Sequence, residues 1–170
     1  NTYNTVQIGY QLWMGENLKT TTYKNGVPIP NVTSDTEWSG LLSGAYAYWN
    51  NNISYSNTYG NYYNGYAVDD YNGICPEGWH VPTNEEWVVL TDYLGDFPGK
   101  QLKDNINWNG TNESGFTGLP AGKRDGNSGT DSMGNTGIFW CSYSTNQSTY
   151  YSYHLETSTL NCIKNVSDKT

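Results

Sequence analysis

The sequence predicts an α+β domain in which two short helices flank a twisted antiparallel sheet and much of the chain runs in ordered loops. Three observations carry this reading. Thr83 and Glu86 form a Thr-x-x-Glu capping pattern ahead of Trp87, Leu90 and Leu94 at helical spacing. Strand-like runs occupy both ends of the chain, over residues 5–12 and over 138–144, 148–155 and 158–166. Only 14% of the 170 residues are charged, while sixteen Tyr and seven Trp supply the apolar mass that Leu, Ile and Phe do not. That aromatic content argues against disorder, and the length suits one domain, 1–170.

Taken in order, residues 1–24 read as a strand or a hairpin, in which Val6, Ile8, Tyr10 and Leu12 alternate with Thr5, Gln7, Gly9 and Gln11 to give one apolar face. Asn25-Gly26 marks a turn, and Pro28 and Pro30 keep the next residues extended. Ser34 and Glu37 repeat the capping pattern before Trp38, Leu41 and Leu42, with Gly40 and Gly44 limiting that helix to two or three turns. Residues 44–68 are dense in Tyr and Asn. Trp79, His80 and Val81 read as a short buried strand, because Pro82 keeps Val81 out of helical geometry. The central helix follows, with Glu85 and Glu86 in its first turn, Gly95 as its C-cap and Pro98-Gly99 as a stop. Residues 123–137 read as a long irregular loop before the C-terminal strands.

The stretch Cys75-Pro-Glu-Gly-Trp-His-Val-Pro-Thr-Asn-Glu-Glu-Trp87 resembles the signature of the Fibrobacter succinogenes major paralogous domain of secreted and surface proteins from Bacteroidetes and Fibrobacteres. The resemblance extends through Val6 to Leu18, Glu37-Trp38, Tyr62-Tyr63-Asn64, Gln101-Leu102-Lys103, Leu119-Pro120-Ala121-Gly122 and Phe139-Trp140. It implies a C-type-lectin-like, or formylglycine-generating-enzyme-like, fold, a helix near residues 63–69, and an extracellular or cell-surface location. The chain departs from the family at Gly65, where a Trp is common. The family domain ends in a strand carrying a Cys that would be the mate of Cys75. This chain stops at Thr170, before that strand, so the resemblance implies a domain lacking its last strand.

Charge and cysteine usage narrow the function classes. A formal net charge of −8 with eight basic residues disfavours nucleic acid. No run of 18 apolar residues would insert into a membrane, and the N-terminus shows no signal-peptide pattern, as in a mature or trimmed chain. Three cysteines are an odd number. Cys141 and Cys162, on two candidate strands with a hairpin between them, are expected to pair. Cys75 is then left over, as a buried thiol or as the partner of a further strand.

Several residues carry candidate chemistry. Asp125, Asn127 and Asp131 place oxygen ligands on a Gly-rich loop of the kind calcium takes, although the spacing is not an EF-hand and Asx turns are the simpler account. No other cofactor is expected. His80 and His154 are the near-neutral acid–base candidates. A hydrogen-bonded structural role suits His80, and Glu156 on the same strand face is placed to orient His154. The copper-holding cysteine pair of formylglycine-generating enzymes has no counterpart among cysteines at 75, 141 and 162. Asp131-Ser132-Met133 fits the short pattern that Bacteroidetes glycosylate at the hydroxyl, which marks Ser132. Tyr143, Tyr150, Tyr151 and Tyr153, interleaved with Ser, Thr and Asn146, resemble an antibody paratope, where aromatic faces stack and short polar groups adapt. The expected function is therefore non-catalytic recognition of a glycan or surface protein. The alternative is a surface filament or layer subunit that self-associates through an open sheet edge.

Overall fold

The computed structural model describes residues 1–126, 129–144 and 149–170, in a mixed α and β arrangement of small antiparallel sheets and short helices. Strand β1 (Thr5–Ile8) pairs with β2 (Gln11–Met14), Val6 opposite Trp13 and Ile8 opposite Gln11. Gly9 takes φ +58° in the two-residue turn between them, packed against the Tyr93 ring. The turn breaks the alternation expected over residues 5–12. Tyr10 is fully exposed at the turn, and Trp13 takes the inward position beside Ile8 because cross-strand partners share a face.

Helix α1 (Asp35–Ser39) starts where Ser34 accepts the Glu37 N–H at 3.2 Å. It buries Trp38 but ends at Gly40 after five residues, shorter than the expected two or three turns. Strand β3 (Tyr46–Ala47) is followed by α2 (Ser56–Tyr59) and by β4 (Tyr62–Tyr63), which pairs back onto β3. Helix α3 (Gly65–Val68) lies where a helix was expected. Asn64 ties this lobe together. Its buried side chain accepts from the Ala45 and Ala67 N–H groups at 2.9 and 3.0 Å and donates to the Ser43 carbonyl at 2.9 Å. Gly44 is required beside it, since a Cβ there would lie 2.0 Å from the Tyr23 hydroxyl and 2.9 Å from the Ala67 Cα.

Residues 79–83 do not form the expected strand. The Trp79 N–H bonds back to the Pro76 carbonyl at 3.0 Å within its own turn, and Pro82 has no N–H to offer a ladder. They lead into α4 (Asn84–Leu94), where the capping box is complete and Trp87 and Leu90 are buried. Gly95 closes α4 with φ +65°. Pro98, expected as a stop, instead opens α5 (Pro98–Leu102), the position where a missing N–H costs nothing. Gln101 on α5 donates to the Leu94 and Asp96 carbonyls, both at 2.9 Å, so the second helix caps the first.

The expected irregular loop contains a hairpin, β5 (Lys123–Asp125) with β6 (Gly129–Asp131). The chain then builds β7 (Thr136–Ser144), β8 (Thr149–Glu156) and β9 (Cys162–Asp168), an antiparallel sheet in the order β7-β8-β9. Tyr153 on β8 stacks on Trp87 of α4 with centroids 4.7 Å apart, and Trp13, Phe116 and Phe139 surround that pair. The buried Lys103 ammonium donates to the Glu156 and Thr159 carbonyls, both at 2.8 Å, and so fixes the turn between β8 and β9.

Candidate functional site

The tyrosines expected to form a recognition face are divided by the sheet. Tyr150 and Tyr153 are both buried, on opposite faces of β8, because the sheet is covered on both sides. Tyr153 belongs to the core against α4, while Tyr150 packs edge-on to Trp140. Burial pushes the Tyr153 hydroxyl up to about 12. Tyr151 is half-buried, and the Lys164 ammonium sits 3.7 Å from its ring centroid. The Tyr143 side chain and Asn146 lie outside the described residues.

No disulfide joins Cys141 to Cys162, which corrects the expected pairing. Strand β8 lies between the strands that carry them. Cys162 registers with Leu155, whereas Cys141 lies beyond Trp140, which registers with Ser152. Two strand spacings of roughly 4.8 Å already exceed the reach of a disulfide. Cys75 is half-buried, and burial pushes its thiol up to about 11.

Asp125 and Asp131 stand on opposite strands of the β5–β6 hairpin. Lys123 lies 3.0 Å from the Asp125 carboxylate, and the Asp131 carboxylate accepts the Ser132 N–H at 2.6 Å. Asn127 falls outside the described residues. Among the described residues no group of three His, Cys, Asp or Glu side chains converges as metal ligands. Ser132 sits partly buried at positive φ just past β6.

His80 is mostly exposed, and its Nε2 lies 2.9 Å from the Glu86 carboxylate. His154 faces its neighbour two residues back. The Ser152 hydroxyl lies 2.9 Å from the His154 Nε2 and 2.6 Å from the Ser167 hydroxyl. Burial lowers the His154 pKa, partly opposed by Glu156. The Glu156 carboxylate takes the Ser158 hydroxyl at 3.2 Å.

A cleft of about 1370 Å³ opens on the molecule. Its walls come from β2, the signature segment around Trp79, the Tyr62–Tyr63 strand, residues 116–126, β7 and the end of β9. Trp79, Tyr62, Tyr66 and Trp140 present half-buried aromatic surface to it. Two of these are positioned by hydrogen bonds: the Tyr62 hydroxyl donates to the Ala121 carbonyl, and the Trp140 indole N–H donates to the Tyr63 carbonyl at 2.7 Å. Burial pushes the Tyr62 hydroxyl well above its ordinary range, so it stays a donor. Cys75 and the last residues, Lys169 and Thr170, also line the cleft.

Sequence reasoning did not single out Arg124, which joins the β5–β6 hairpin to α1. Its side chain is 1% exposed and donates to Asp35 at 2.7 Å, Asn51 at 2.9 Å and the Thr33 carbonyl at 3.1 Å, above the Trp38 ring. A single Arg beside a Gly-rich turn gives no periodic signal, so nothing in the sequence separates it from a solvated charge.

These features define a small mixed α and β domain whose aromatic cleft is its candidate binding site. The chain belongs to the Fibrobacter succinogenes major domain family, whose profile it matches over residues 6–169. No curated protein and no solved structure matches it.

Proposed function

We propose that this is a non-catalytic recognition domain of C-type-lectin-like build, acting outside the cell, and that its ligand, a glycan or a polypeptide, binds in the aromatic cleft. The observation that carries the reading is the cleft itself, about 1370 Å³ and walled by half-buried Trp79, Tyr62, Tyr66 and Trp140. Aromatic faces with fixed polar groups between them are what ligand sites use to combine affinity with orientation. The signature segment supplies Trp79, which ties the family's sequence pattern to the cleft wall. Ser152, whose hydroxyl lies beside His154, is fully buried and also bonded to Ser167, and Glu86, beside His80, is engaged in the α4 cap, which favours structural roles for both pairs. A glycan array and a peptide display screen, each run with the native domain and with Trp79→Ala, test the reading. Specific binding that Trp79→Ala abolishes supports it. Binding to neither class, or binding indifferent to Trp79, overturns it.

A further inference from the structure

A polar pocket of about 280 Å³ lies where α1, the single turn Trp49–Asn51 and the β5–β6 hairpin meet. Asp35, Asn50, Asn51, Arg124, Gly129 and Thr130 line it, so among the described residues no aliphatic or aromatic side chain does. Asn50 and Asn51 both take left-handed backbone geometry, φ +46° and +55°, which Asn tolerates better than bulkier residues do. Thr130 fastens that turn to β6: its hydroxyl donates to the Asn50 Oδ1 at 2.8 Å and accepts the Asn50 N–H at 3.4 Å. Asn51 is used at both ends, donating to the Thr33 carbonyl and accepting from Arg124, each at 2.9 Å. A Cβ at Gly129 would lie 2.8 Å from the Asp35 Oδ2, so a side chain there would displace the carboxylate.

Three polar groups of these side chains are left over. Asp35 gives its Oδ1 to Arg124 at 2.7 Å, and its Oδ2 has no hydrogen-bond partner among the described residues. The Asn50 Nδ2 has none either, since Thr130 takes only the oxygen of that amide. The Arg124 Nε is the third, on a side chain 1% exposed, and a buried donor without a partner is rare in a folded chain. The Asp35 and Arg124 charges cancel, so an anion entering the pocket would meet a carboxylate and a cation would meet a guanidinium. A hydroxyl donates and accepts at one atom and so serves both kinds of unused group. The volume lies below the roughly 300–1,000 Å³ of sites for drug-sized ligands, which fits one ring and not a chain.

We propose that this pocket binds one ring of a neutral sugar, whose hydroxyls donate to the Asp35 carboxylate and accept from the Asn50 amide and the Arg124 guanidinium. The site is distinct from the aromatic cleft. The two share only Arg124 among their lining residues, and Trp79, Tyr62, Tyr66 and Trp140 belong to the cleft alone. Neither the first nor the last residues of the chain line the pocket. Arg124 then has two roles, tying the β5–β6 hairpin to α1 through its Nη atoms and presenting its unused Nε–H to the ligand.

The test titrates the isotope-labelled native domain with glucose, galactose, mannose, fucose and N-acetylglucosamine, and with their methyl glycosides, while amide resonances are followed by NMR. The expected result is a saturable shift of the Asn50, Asn51, Gly129 and Thr130 amides with at least one of these sugars. Asn50→Gly suits the left-handed backbone and removes the amide, and should weaken that binding by about tenfold or more, whereas Trp79→Ala should leave it unchanged. Asn50→Asp keeps the oxygen that Thr130 reaches and replaces the amide donor by a second oxygen, so it should weaken binding too and serves if Asn50→Gly fails to fold. A methyl glycoside that binds as well as the free sugar identifies the ring as the end of a glycan, and binding of the free sugar alone identifies a monosaccharide; both support the site. Four results overturn it: no sugar shifts these amides, both Asn50 variants bind as the native domain does, Trp79→Ala abolishes the shifts, or glucuronate or glucosamine binds more tightly than every neutral sugar.

Discussion

Thr83 and Glu86 satisfy each other's backbone: the Thr83 hydroxyl accepts the Glu86 N–H at 3.1 Å, and the Glu86 carboxylate accepts the Thr83 N–H at 2.8 Å. Thr83→Ala removes one of the bonds that start α4 and should cost about 1 kcal/mol in denaturant unfolding. His80 adds only a largely exposed contact to the same carboxylate, so His80→Ala should change stability by no more than about 0.5 kcal/mol. A loss at His80 larger than at Thr83 would contradict this ranking.

The same box sets an acid limit. Burial pushes the Glu86 carboxyl up, but the Thr83 N–H and His80 together bring it below its ordinary value of 4.5. A carboxylate depressed in the folded state contributes stability that is present above that value and lost as pH falls through the folded-state pKa. Glu86→Gln should therefore flatten the fall in melting temperature below pH 4.5, as read by calorimetry across pH. An acid limb unchanged by the substitution would contradict the assignment.

His154 acts in a higher window. Burial depresses it below its ordinary 6.5, with Lys123 adding to the effect and Glu156 opposing it. The unfolded chain then binds the proton more readily, so stability falls as pH drops below about 6.5. His154→Gln should remove that part of the slope between neutral pH and the carboxylate range. Retention of the full slope would place the titrating group elsewhere.

Lys103 is a buried cation held by two carbonyls and a Trp108 ring 5.5 Å away, and burial lowers its pKa. Lys103→Met keeps the length of the side chain but removes the ammonium from the Thr159 carbonyl and leaves the Glu156 carbonyl only the Thr159 N–H at 3.4 Å. It should destabilise by about 3 kcal/mol in denaturant unfolding. A change under about 1 kcal/mol would show that water replaces the ammonium.

What the sequence made legible follows from locality. The α4 capping box, the Gly95 cap and the C-terminal strands are set by residues within a few positions of one another, and all are present. The β5–β6 hairpin was missed because its three-residue strands carry Lys, Arg, Asp and Gly, with no apolar alternation to mark them. The Cys141–Cys162 pairing failed for a reason of topology: the strand order places β8 between them, and spacing along the chain does not reveal neighbours across a sheet. Period 2 divided the β8 tyrosines between two faces, but only the fold shows that both faces are covered. The signature was legible as a pattern. Its placing of Trp79 on a cleft wall depends on β2, β7 and the Tyr62–Tyr63 strand, which lie far from it in sequence.

The cysteines give a direct check of the pairing. Thiol titration of the denatured chain without reductant should find three thiols, and native protein should react slowly, since burial pushes Cys75 up to about 11 and Cys162 to about 12. A single thiol after denaturation would mean that two of the three are joined.

The central claim is that recognition takes place in the cleft and not on the tyrosine-rich strands. It is tested most directly by the affinity of one ligand, taken from the glycan or peptide screen, for Trp79→Ala and for Tyr151→Ala, with melting temperature measured on both. The cleft account predicts that Trp79→Ala weakens binding by about tenfold or more while the domain still unfolds cooperatively, and that Tyr151→Ala binds as the native domain does. Binding lost in Tyr151→Ala and kept in Trp79→Ala would contradict it.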